Sequence, residues 1–153
     1  MKHYLLGFLF VALISCNTYQ YITTDIMVKV YEDLNDNQSA LFVKSNDWMI
    51  RTFKDATSVI QYSDKTEGVL IGKYCMYGKI VPMPYNMTDD TRIFAIIDIR
   101  VKDNKARISI QPQGPWKYLE GTINGYSYNR ALFDMEALCR EFYETLKTSG
   151  VDF

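Results

Sequence analysis

Histidine is almost missing from this chain: the one histidine in its 153 residues is His3. It lies in an N-terminal segment that the sequence marks for removal, so the mature domain is expected to contain no imidazole. That excludes Ser-His-Asp and Cys-His catalysis, and any zinc site that relies on a histidine ligand. Cysteine is also scarce, at three residues, and Cys75 and Cys139 stand far apart without metal-ligand spacing. In an oxidising compartment those two can form one disulfide. As free thiols they would instead be buried small hydrophobes, and Cys139 falls on the apolar stripe of a predicted helix. Basic charge is not in excess either. Once Lys2 leaves with the N-terminal segment, 16 of the 17 Lys and Arg residues face 18 Asp and Glu residues. Such a chain offers no cationic field to a phosphate backbone, so nucleic acid is not an expected partner. No residue pattern selects a catalytic group, a metal ligand or a cofactor site.

No apolar run is long enough to span a membrane. Lys2 and His3 supply a short positive start, and apolar residues fill 4–14. A spanning helix needs roughly 20 such residues, so this run reads as the core of a signal peptide. It ends in Leu13-Ile14-Ser15-Cys16, which resembles the lipobox of bacterial lipoproteins. In that motif a branched apolar residue and a small residue precede a cysteine. The resemblance implies cleavage after Ser15 and an acylated Cys16 at the start of the mature protein. The expected organisation is a signal peptide over 1–15, a tether over 16–24 and one domain over 25–153. Its expected place is the cell envelope, as a membrane-anchored lipoprotein. The expected membrane is the outer one; by the resemblance to bacterial lipoproteins, Asn17 and the lack of early acidic residues favour its periplasmic side over surface display.

Hydrophobic residues make up 48% of the chain, enough for an ordered core in one domain. Residues 25–31 alternate as a strand does, with Ile26, Val28 and Val30 on one face and Met27, Lys29 and Tyr31 on the other. Asn35, Asp36 and Asn37 offer capping groups for a helix over 39–54. Its Leu41, Phe42, Trp48, Met49 and Phe53 share one side of a 3.6-residue period. Trp48 reads as the anchor of that helix on a sheet, with stacking on a ligand as its other possible role. Strands follow over 58–63 and 69–79, joined by a loop at 64–68.

The next hairpin is the most informative. Strands over 91–102 and from 105 onward turn at Asp103-Asn104. That loop sets Lys102 opposite Lys105, Val101 opposite Ala106 and Arg100 opposite Arg107, then Ile99 opposite Ile108 and Ile97 opposite Ile110. The six apolar residues take one face, while Asp98, Arg100, Lys102, Lys105, Arg107 and Ser109 take the other. The cationic ladder of Arg100, Lys102, Lys105 and Arg107 is either a solvated face or a surface for an anionic ligand. Residues 111–129 are broken by Pro112, Gly114, Pro115, Gly121 and Gly125, and they carry Trp116, Tyr118, Tyr126 and Tyr128. Aromatics in such a loop either form a platform for a glycan or peptide, or pin the loop to the domain. A last helix over 130–147 aligns Ala131, Leu132, Met135, Leu138, Cys139, Phe142 and Leu146, with Asn129 as N-cap and Gly150 past its end.

The expected class is α+β, in two layers: order β-α-β-β-β-β-α, an antiparallel sheet backed by two helices. The run Asp47-Trp48-Met49-Ile50-Arg51-Thr52-Phe53, then Ser58-Val59-Ile60-Gln61-Tyr62-Ser63-Asp64-Lys65, then Gly68-Val69-Leu70-Ile71-Gly72-Lys73 resembles the domain of unknown function numbered 4468. That family has a TBP-like fold and occurs in exported proteins of Bacteroidetes. The resemblance implies the same element order, and brings no catalytic residues or cofactors. The chain departs from the family pattern at Tyr74-Cys75-Met76-Tyr77 and in the length of its aromatic loop. Gly68 to Lys73 is not a phosphate loop, because it is one residue short between its glycines and lacks a Ser or Thr after Lys73. Asp89-Asp90 has no partner acid or base nearby in sequence. The expected function is a non-catalytic binding or interaction module, with a protein or glycan partner. Two alternatives stand beside it: a carboxylate-based envelope hydrolase, whose paired acids only three dimensions would reveal, and a structural or assembly component.

Overall fold

The computed structural model describes residues 20–53, 59–78, 80–82, 88–118 and 125–148. The expected signal peptide, Cys16, Gly121 and Gly150 lie outside them. The elements are β1 (Gln20–Ile22), β2 (Met27–Tyr31), α1 (Gln38–Thr52), β3 (Ile60–Asp64), β4 (Val69–Tyr77), β5 (Ile80–Pro82), β6 (Thr88–Asp90), β7 (Ile93–Lys102), β8 (Lys105–Pro112), β9 (Trp116–Tyr118) and α2 (Tyr128–Lys147). Five strands form an antiparallel sheet in the order β2-β8-β7-β4-β3, and two short ribbons pair β1 with β9 and β5 with β6. The main sheet and the two helices keep the order expected from the sequence. The ribbons are additions to it.

The register of the sheet is set at the Asp103-Asn104 turn, where Asn104 takes a left-handed φ of 60°. Asparagine tolerates that conformation better than most residues, and tight hairpin loops need it. The five facing pairs from Lys102–Lys105 to Ile97–Ile110 form as expected. Ile97, Ile99, Val101, Ala106, Ile108 and Ile110 are all buried against the helices. Two other turns close on this one. Asp103 accepts the Gln38 N–H at 2.7 Å, and the backbones of Leu34 and Asp36 bond to Asn104. In the 64–68 loop, Asp64 accepts the N–H groups of Thr66 and Glu67 at 2.9 and 3.0 Å. Gly68 ends that loop at φ +68°, and a Cβ there would lie 2.4 Å from the Val101 carbonyl oxygen. Glycine is required at that close approach.

The helices form the second layer. Asn37 caps α1 by accepting the Ala40 N–H at 2.9 Å, satisfying one of the orphan donors of the first turn. In α2 the cap is Ser127, whose hydroxyl accepts the Arg130 N–H, and not Asn129. Ser127 holds the extended backbone a cap requires, whereas Asn129 already lies inside the first turn. Leu41, Trp48 and Met49 of α1 and Met135, Phe142 and Leu146 of α2 are buried to 2% exposure or less. Trp48 does more than sit on the sheet, because its ring centroid lies 5.0 Å from that of Phe142 and 5.7 Å from that of Phe53. It thereby joins the two helices. Lys44 adds a polar tie, bonding Asp36 at 2.7 Å and the Leu146 carbonyl near the end of α2 at 2.9 Å. A cation at a helix C-terminus opposes the partial negative charge there.

Cys75 and Cys139 are both free. Cys139 is buried on α2, as expected, but Cys75 is exposed. Alternation along β4 turns Tyr74 inward and Cys75 outward, so the two thiols occupy opposite sides of the sheet. Among the described residues no helix is long and apolar enough to cross a membrane.

Two outcomes test this packing. Trp48→Ala removes the contact between helices and is expected to cost about 3–5 kcal/mol, read from the denaturant midpoint. A midpoint that barely moves would show that the ring is dispensable. The second outcome concerns alkali. Burial raises the Cys139 thiol from 9.0 to about 11, and raises Tyr31, beside Cys139 and Tyr143, from 10.0 to about 12. The unfolded chain releases these protons first, so their contribution is complete below about pH 9 and is lost as pH rises toward 12. A midpoint flat from pH 7 to 9 and falling steeply above it is expected. Ionisation of Tyr31 followed by absorbance should coincide with unfolding, and free titration in the folded state would contradict the burial.

Candidate functional site

Three regions bring together side chains with binding chemistry. The first is the aromatic loop. Trp116 stands in β9, which pairs with β1, so residues 20–22 of the expected tether belong to the folded domain. Trp116 is 7% exposed and its indole N–H donates to the Tyr126 carbonyl at 2.6 Å. Tyr126 is 2% exposed, stacks on Tyr77 at 4.6 Å, and donates its hydroxyl to Asp134 at 3.1 Å. Burial and the nearby Asp134 carboxylate raise its phenol above the ordinary value. With Ile93 and Ala131 these two rings form a second small core, against which Ile22 packs. Of the two roles open to this loop, Trp116 and Tyr126 take the pinning one and are not an exposed platform: the β1–β9 ribbon folds them onto the start of α2. Tyr128 is exposed on the first turn of α2. Tyr118 pairs with Gln20 through its backbone, and its side chain lies outside the described residues.

The second region is the outer face of the main sheet, which neither helix covers. The pairing of β2 with β8 places Val28 opposite Ser109 and Val30 opposite Arg107. Val28 is 41% exposed, Val30 52% and Tyr62 of β3 51%. Met27 and Tyr31, on the other face of β2, are the ones that pack against the core. The cationic ladder keeps the expected register across β7 and β8, but two of its charges are matched. Arg100 pairs with Asp98 at 3.1 Å and Lys105 with Glu32 at 2.7 Å. Each pairing shifts its groups in the stabilising direction: Arg100 and Lys105 are raised, and Glu32 is lowered. Among the described residues Lys102 and Arg107 make no ion pair. The face is thus a mixture of β-branched side chains and a few cations, less charged than the sequence alone suggests.

The third region is a cleft of about 360 Å³ between the end of α1, the middle of β4 and α2. Thr52, Phe53, Tyr74, Tyr126, Asp134, Leu138 and Glu141 line it. Thr52 donates to Glu141 at 2.8 Å, and the rings of Phe53 and Tyr74 lie 4.9 Å apart. Of these only Tyr126 was a candidate site residue in the sequence; Phe53 and Leu138 stood out as helix-stripe residues and Tyr74 as a departure from the family pattern. Asp134 and Glu141 are seven residues apart, two turns of α2, and that spacing was the one available signal for a shared helix side.

The fold has relatives among solved structures. A TBP-like protein from Parabacteroides distasonis superposes with a TM-score of 0.52, covering 82% of this chain and 94% of that one at 16% identity. A DUF4468 family protein from Bacteroides ovatus gives a TM-score of 0.50, covering 85% and 91% at 11% identity. At such identities the likeness carries the fold alone. Comparison with curated proteins finds no match. The family described as a domain of unknown function (DUF4468) with TBP-like fold matches residues 33–112, more than half of the sequence, and the chain belongs to it.

Proposed function

We propose that this protein is a lipid-anchored module of the cell envelope that binds a partner protein through the open face of its main sheet, without catalysis of its own. The observation that carries the reading is the exposure of Val28 and Val30 on that face, beside Arg107, which makes no ion pair among the described residues. Exposed apolar side chains gathered on one face are a feature of interaction surfaces, and a nearby arginine adds a charge that orients a partner. The lack of histidine after residue 3 supports a non-catalytic role. The lipobox supports the anchor. Gln20 is four residues beyond Cys16, so an extended chain would hold β1 within about 14 Å of the acylated residue. The domain would then sit close to the membrane, and its partner would be another envelope protein, met at the periplasmic side of the outer membrane.

Cys16→Ala is expected to abolish labelling by a palmitate analogue in cells and to leave unprocessed precursor. Equal labelling of wild type and variant would overturn the anchor. For the open face, Val30→Glu combined with Arg107→Glu is expected to reduce cross-linked partner recovered from native membranes at least tenfold. The thermal midpoint should stay nearly constant, because Val30 contributes little to the core. Recovery unchanged by the double substitution would place the interface elsewhere.

A further inference from the structure

We propose that the cleft between α1, β4 and α2 binds a small primary amine with an apolar or aromatic body, held by the Tyr74 hydroxyl and the carboxylate of Glu141. This site is separate from the open sheet face, and either can fail without the other. Tyr74 supplies the first argument. Its side chain is 7% exposed, and its hydroxyl is buried without a hydrogen-bond partner. Buried tyrosine hydroxyls are nearly always bonded, and an unmade bond there costs stability that phenylalanine would avoid. Tyr74 lines the cleft, so a ligand that enters there would supply the partner its hydroxyl lacks among the described residues.

The lining decides what that is. Among the described residues it carries two carboxylates and no lysine or arginine; Arg130 pairs with Asp134 at 3.0 Å, so Glu141 is the carboxylate that disfavours an anion and leaves a cation welcome. Asp134 already accepts from Tyr126 and Arg130, and Glu141 from Thr52. A carboxylate has about four acceptor positions, so each keeps capacity for a further donor. An ammonium group offers three donors, enough for one of these carboxylates together with the phenol oxygen. Phe53, Leu138 and the ring of Tyr126 provide apolar and aromatic walls for the rest of the molecule, and aromatic faces also attract a cation. The space has a local cause. Ala137 lines the cleft from α2, a small residue on the helix that elsewhere fills the core with Met135, Phe142 and Leu146. The volume of about 360 Å³ lies near the lower end for small-molecule pockets, which favours a compact ligand.

The test uses benzylamine and butylamine as probes, with benzyl alcohol and phenylacetate as charge controls, followed by amide chemical shifts. At least one amine should give saturable shifts centred on Tyr74, Tyr126, Asp134 and Glu141. The alcohol should bind at least tenfold more weakly, and phenylacetate should not bind. Tyr74→Phe should weaken the amine at least fivefold while leaving the ligand-free thermal midpoint unchanged or higher. Glu141→Gln, a conservative change on the helix surface, should weaken it by a similar factor and serves if Tyr74→Phe does not fold. Saturation by neither amine, equal binding of phenylacetate, full affinity in both variants, or a lower midpoint for a folded Tyr74→Phe would each overturn the proposal.

Discussion

The structure depends on the one-sided hairpin of β7 and β8. Its inner face presents Ile97, Ile99, Val101, Ala106, Ile108 and Ile110, none more than 2% exposed. Each large aliphatic side chain removed from water contributes about 1.5–3 kcal/mol, so this face alone supplies much of the driving force for a domain of this size. Because side chains alternate with a period of two, a slip of one residue would turn that whole set into solvent. The register is consequently fixed by energy as well as by the turn. Asn104 sets the turn locally, and the bonds to Leu34, Asp36 and Gln38 tie it to the start of α1. The helix is in this way delivered to the apolar face by the same turn that aligns the strands.

Two helices suffice to cover one face, and the other stays open as a direct result. The helical layer is held by Trp48 against Phe142 and by Lys44 reaching the end of α2. Gly72 lets the layer approach the strand closely, since a Cβ there would meet the tip of Met49 at 2.4 Å. On the open side the edge strand β2 has an unusual arrangement. Its valines face outward, while Lys29 pairs with Ile108 on the helix-covered side. A charged residue turned toward the core side of an edge strand hinders further strand pairing. A partner is thus steered toward the face of the sheet and away from its edge.

Much of this was legible in the sequence, for a physical reason. The β7–β8 pairing, the cap at Asn37 and the stripes of both helices are local patterns, determined by residues close in sequence. What was not legible depends on distant residues. The pairing of β1 with β9 joins residues about a hundred positions apart through three-residue strands, too short for alternation to register. The burial of Trp116 and Tyr126 follows from that ribbon, so a loop with the composition of a binding platform became a minor core. The assignment of Ser127 over Asn129 as cap turned on two residues of chain direction, which capping preference alone does not resolve. For β2, alternation separated the two faces but did not say which was inner. The answer came from Tyr31, whose hydroxyl bonds the Cys139 carbonyl at 2.7 Å.

The cleft was the least legible feature, because it is defined by a missing bond. Tyr74 is one of the departures from the family pattern, and inward-facing tyrosine in a strand is ordinary. Its meaning comes from comparison with the other buried aromatic donor that lacks a partner among the described residues, the indole N–H of Trp48. Trp48 is enclosed by Phe53 and Phe142 and is not part of the lining of the cleft that Tyr74 lines. Its large ring fills the space between two helices, and the loss of one hydrogen bond is offset by that packing. Phenylalanine at position 74 would keep nearly all the contacts of the tyrosine ring, so packing gives no comparable reason for the hydroxyl. Burial and the charge of Asp134 also raise the Tyr74 phenol above its ordinary value, which keeps it protonated. A neutral hydroxyl can accept from an ammonium and still donate to a carboxylate. It is this combination of accepting and donating capacity, in a cleft with an acidic and an apolar lining, that distinguishes a recognition group from a packing residue.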